Sequence, residues 1–72
     1  MSPGEKTLGE VVRELRERNG LSQAQLAERA QIALSYITLA ESGQKVNLSP
    51  SALSRLARAL GVPSRVLSDA VN

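Results

Sequence analysis

Apolar residues recur at every third or fourth position along most of the chain, and polar breaks divide that recurrence into five stretches. Such a step is the period of a half-buried helix, and no stretch alternates with period two for long enough to suggest a strand. The first opens with "TLGE", in which Thr7 and Glu10 stand at capping-box spacing. Leu8, Val11, Val12 and Leu15 then form one apolar face, and "NG" (Asn19-Gly20) marks its end. The second, "LSQAQLAERA", repeats the device with Ser22 and Gln25, ahead of a narrow stripe of Leu26, Ala27 and Ala30.

Gln31 and Ile32 leave little chain before a third helix, expected from about Ala33 to Ser42 and stopped by Gly43. A polar connection, "QKVN", leads to "LSPSAL", where Ser49 is placed to cap and Pro50 to fill the first helical position. Leu53, Leu56, Ala57 and Leu60 line that fourth helix, and Gly61 ends it. A short fifth, about Pro63 to Ala70, carries Val66 and a core residue, Leu67. The pattern predicts an all-α, compact five-helix domain over residues 7–72, preceded by a flexible tail, "MSPGEK", at 1–6.

The third helix is the odd one. At about 100° per residue, Ala33, Tyr36, Ile37 and Ala40 share one arc, which is the face expected to be buried. Leu34, Ser35, Thr38, Leu39 and Ser42 lie on the other side. Two leucines are thus aimed away from the core they would ordinarily fill.

Composition narrows the function classes. A chain of 72 residues is small for a single core, so partners that add buried surface are expected. It has no cysteine and no histidine, which excludes a disulfide framework and the usual zinc sites. There is also no Gly-rich phosphate loop and no metal-ligand spacing, so neither catalysis, a cofactor nor a metal is expected. No apolar run is long enough to span a bilayer, and a cytoplasmic, nucleoid-associated protein is the expectation. Net charge is +2 with a pI of about 9.7, mildly favouring an anionic partner. The charge is also uneven: residues 1–41 hold five basic and six acidic side chains, residues 42–72 four basic and one acidic.

Helices two and three, joined by a very short turn, form a candidate helix-turn-helix. Taken alone, two short helices with a tight turn are weak evidence. The runs "LGEVVRELRERNGLSQAQLAERA", "SYITLAESG" and "LSRLARALGV" are more specific, and together they resemble the phage-repressor and Cro type of helix-turn-helix regulator, the xenobiotic-response-element (XRE) family. The resemblance covers roughly Leu8 to Leu67. It implies a lambda-repressor-like five-helix fold, a homodimer, and sequence-specific binding to double-stranded DNA at an inverted-repeat operator, most often as a repressor in bacteria or phages.

The resemblance also implies roles for single residues. Gln23, Ser42, Gln44, Lys45, Ser49 and Ser51 match positions that approach DNA phosphates. For Gln23, Ser49 and Ser51 the reason is physical as well, since helix N-termini favour anions. Leu34, Ser35, Thr38 and Leu39 match the base-reading positions. Arg16 and Glu41 match an ion pair that ties helix one to the end of helix three, a structural role.

Several positions depart from the family's pattern. Bidentate polar side chains are common where this chain has Leu34 and Leu39. Ala33 replaces a Ser or Thr cap, Gln31 stands where a turn glycine is frequent, and the loop after Gly43 is one residue longer. Three readings of the leucines follow. They contact thymine methyl groups while Ser35 and Thr38 hydrogen-bond base edges and DNA shape supplies further selectivity. Alternatively, they form a protein-binding face, as in an antitoxin-like or antirepressor-like module of the same fold. In the third, the helix is rotated so that Leu39 is core and Ala40 is not. For the homodimer, Val62, Val66 and Val71 around helix five are the candidate interface.

Overall fold

Four of the five helices end in the same way, and this shared ending sets the chain's turns. The computed structural model describes residues 6–70, within which the helices are α1 (Leu8–Arg18), α2 (Gln23–Ala30), α3 (Leu34–Glu41), α4 (Pro50–Leu60) and α5 (Ser64–Ser68). At the ends of α1 to α4 the chain closes a Schellman pair. Gly20, Gln31, Gly43 and Gly61 donate to Glu17, Glu28, Ala40 and Arg58, and the following residues donate to Arg16, Ala27, Leu39 and Ala57. That geometry needs a left-handed residue. Three of the four are glycine, and Gln31, at φ 55°, is the exception.

The starts are equally local. Thr7 Oγ1 accepts from the Glu10 N–H at 3.1 Å while the Glu10 carboxylate accepts from the Thr7 N–H at 3.1 Å. Ser22 and Gln25 form the second reciprocal box, at 3.0 and 2.8 Å. Ser49 accepts from Ala52 N–H at 3.1 Å, with Pro50 in the first turn. Ala33, in extended conformation, gives α3 no side-chain cap. Of the expected tail, residues 1–5 lie outside the described residues; Lys6 Nζ meets Glu14 at 2.7 Å on the surface.

Every helix sends one large side chain to the centre: Val12, Leu26, Ile37, Leu56 and Leu67 are the most deeply buried. Burying each is worth about 1.5–3 kcal/mol. Around them α1 packs on α3 and α5, α2 on α3 and α4, and α4 on α5. At the α1–α3 contact a Cβ on Gly9 would run into the Ala40 carbonyl oxygen, so only glycine allows the two backbones to meet. No helix among the described residues is long and apolar enough to cross a membrane.

Because α3 rests on α1 and α2, only one narrow side of it is covered. Ile37, Ala40 and Glu41 are buried, whereas Leu34 and Leu39 are 47% and 45% exposed. The reading that made Leu39 core and Ala40 surface is therefore wrong. The expected burial of Ala33 and Tyr36 also fails: both are exposed, Tyr36 by 42%. Ala33 precedes the helix proper, and the buried arc is turned by about 40° from the one expected, toward Glu41. The ion pair described next draws that side inward.

Candidate nucleic-acid interface

Glu41 is the anchor of the exposed helix. Its side chain is 1% exposed and its Oε2 lies 2.7 Å from Arg16 Nε, with Oε1 at 2.9 Å from Arg16 Nη2. Arg16, on α1, also donates to the Leu21 carbonyl at 2.8 Å, so one guanidinium joins α1, the start of α2 and the end of α3. Arg13 adds a longer bond to Oε1 at 3.4 Å and one to the Glu41 carbonyl at 3.0 Å. Burial works against the charge of Glu41. The bonds from Arg16 and Gln23, with the nearby positive charges, outweigh it and hold the carboxyl below its ordinary pKa. An ionised carboxylate therefore faces the α2–α3 junction.

That carboxylate orients Gln23. It can only accept, so the atom opposite Oε1 at 3.1 Å is the Gln23 amide nitrogen. The Gln23 carbonyl oxygen is thereby turned outward, where the Thr38 hydroxyl donates to it at 3.3 Å. Arg16, Glu41, Gln23 and Thr38 thus form one directed chain from α1 to the outer face of α3.

The candidate residues fall into three places. Leu34, Ser35, Thr38 and Leu39 share the exposed side of α3. Gln23, Ser49 and Ser51 sit at the starts of α2 and α4, and Ser42, Gln44 and Lys45 follow α3. Proton accounting separates the last two groups. Phosphate oxygens only accept hydrogen bonds. Ser49 accepts from Ala52 N–H, and Ser51 accepts from Arg55 Nη1 at 2.7 Å, so both hydroxyl protons remain available. Gln23 keeps a second N–H. Ser42 is different: its proton goes to the Leu39 carbonyl at 2.8 Å and reaches a phosphate only by leaving it.

Sequence reasoning missed three contributors. Arg13 helps hold Glu41, and Arg55 Nε closes the end of α2 by donating to Ala30 O at 3.1 Å. Tyr36 lines a surface groove with Ile32, Leu48 and Arg55. Arg13 was legible, since it stands one helical turn before Arg16 on the same side of α1; the other two depend on how α4 packs beside α2 and α3. For the dimer, Val62 is half-buried against the core and Val66 is 37% exposed, while Val71 lies outside the described residues.

A bracing α2, a three-residue turn through a left-handed Gln31, and an α3 whose outer side is bare define a helix-turn-helix DNA-binding module. The chain belongs to the helix-turn-helix domain family, whose model matches residues 7–71, within the XRE type of DNA-binding transcription regulators and not among enzymes. No curated protein matches it. Among solved structures it is similar to SinR of Bacillus subtilis, the master regulator for biofilm formation, in complex with DNA: TM-score 0.80, 30% identity, covering 88% of this chain and 100% of that one. It is also similar to the restriction-modification controller protein C.AhdI from Aeromonas hydrophila, at TM-score 0.74 and 40% identity over 83% of this chain and 89% of that one. A complex of SinR with the SinI protein matches at TM-score 0.79 and 30% identity, over 88% of this chain and 61% of that one.

Proposed function

We propose that this protein is a sequence-specific double-stranded DNA-binding repressor that acts as a homodimer on an inverted repeat, with α3 of each subunit in the major groove. The observation that carries the reading is the two-sidedness of α3. Its inner side is fixed by Ile37, Ala40 and the Arg16–Glu41 pair, and its outer side exposes Leu34, Ser35, Thr38 and Leu39. Leu34 and Leu39 then meet thymine methyl groups, and Ser35 and Thr38 meet polar base edges. Gln23, Ser49 and Ser51 offer spare protons to phosphates, Gln44 and Lys45 reach the backbone from the loop, and Ser42 does so after turning its hydroxyl. That SinR was solved with DNA supports the same use of a similar fold.

Dimerisation follows from arithmetic of contact. One α3 touches only a few base pairs, and a two-fold pair reads two half-sites about one helical turn apart. Val66, with Val62 and Val71, is the proposed seam. Repression is by occupancy of the site.

A second reading is favoured by one observation: Leu34 and Leu39, both large and apolar, are exposed on the outer side of one eight-residue helix. Such a surface suits a protein partner held by an antitoxin-like or antirepressor-like module. Selection from a random duplex library separates the two. The DNA reading expects a palindromic, thymine-containing consensus. No enrichment of any sequence would assign the face to a protein.

A further inference from the structure

We propose that Thr38 is a specificity-determining residue that presents itself to DNA as a hydrogen-bond acceptor only, and so selects an amino base, adenine or cytosine, over a keto base on the strand it faces. This rests on the groove-docking reading of α3. A threonine hydroxyl has one proton and two lone pairs, and elsewhere it serves a base edge in either sense. In the free protein the proton is already committed from within. The ionised Glu41 compels the amide nitrogen of Gln23 to face it, the Gln23 oxygen turns to Thr38, and the Thr38 proton is spent on that oxygen at 3.3 Å. What remains for the groove is lone pairs. They match the exocyclic amino groups of adenine and cytosine and repel O4 of thymine and O6 of guanine. Gln23 would thus serve twice, with one N–H for phosphate and an oxygen that polarises a base reader.

The test is a random-duplex selection with the full chain and three variants, reading the amino-to-keto ratio at each half-site position. The wild type is expected to show one position with a ratio of about fivefold, the worth of a single hydrogen bond. Thr38→Val should bring that ratio to within about twofold of unity, and Thr38→Ser should restore it. Gln23→Met should also collapse the ratio, because the freed hydroxyl can then donate. Loss of a phosphate contact weakens all sequences uniformly and leaves the ratio untouched, so the two roles of Gln23 are read separately. A ratio unchanged in Thr38→Val, or in a Gln23→Met variant that melts like the wild type, overturns the proposal while leaving groove docking intact. Failure of the wild type to enrich any duplex overturns both.

Discussion

At the scale of residues, Glu41 decides more than any other side chain. It is buried, it is ionised, and it holds α1, α2 and α3 through Arg16, Gln23 and Arg13. Its depressed folded pKa fixes the sign of the pH dependence. The stabilisation is complete above the unfolded value and is lost as pH falls through the folded one. Acid unfolding followed by circular dichroism should therefore begin below about pH 4, and Glu41→Gln should flatten that limb of the curve. Glu41→Ala leaves Arg16, itself only 13% exposed, without its partner, and should cost about 3 kcal/mol in denaturant melts. The pair was legible in the sequence through resemblance alone, as positions 25 residues apart in the chain carry no periodic signal of contact. The Gln23–Thr38 bond was not legible, because it depends on which way an amide is turned.

At the scale of elements, the sequence was most readable at helix ends. Thr7 and Ser22 boxes, Pro50 after Ser49, and the glycines after α1, α3 and α4 are interactions within a few residues, so local chemistry determines them. The face of α3 was less readable. On an eight-residue helix a turn of about 40° exchanges Tyr36 for Glu41, and that turn is set by neighbours distant in sequence. Gly9 is the other case: it reads as an ordinary first-turn residue, yet it is where α1 meets the backbone of α3. Gly9→Ala should cost about 3 kcal/mol or more, since the obstructing atom is a carbonyl oxygen that cannot swing aside. Ala33→Ser should act in the opposite direction. It supplies the cap that α3 lacks, about 1 kcal/mol, and should raise the melting temperature by roughly 4–8 °C.

At the scale of the whole molecule, five helices share one small core to which every one of them contributes. Such a domain has little surplus stability, and a partner that buries further surface serves both folding and recognition. Sedimentation equilibrium should detect a dimer at micromolar concentration, more strongly with operator DNA, and Val66→Glu should return it to monomer. Monomer at every concentration, free and bound to DNA, would remove the two-fold model. The seam was only partly legible, because Val62 and Val66 look alike in sequence and differ only in how far α5 turns each toward the core. On α3 what folds the domain and what would bind lie on different sides: Ile37, Ala40 and Glu41 are buried, and Leu34 and Leu39 are exposed. Affinity for the selected operator, measured for Leu34→Ala and Leu39→Ala beside their melting temperatures, tests that separation most directly. The account predicts about a tenfold loss of operator binding for each, the worth of burying most of a leucine side chain against the groove, with melting within a few degrees of wild type. Undiminished operator binding by both variants would contradict it.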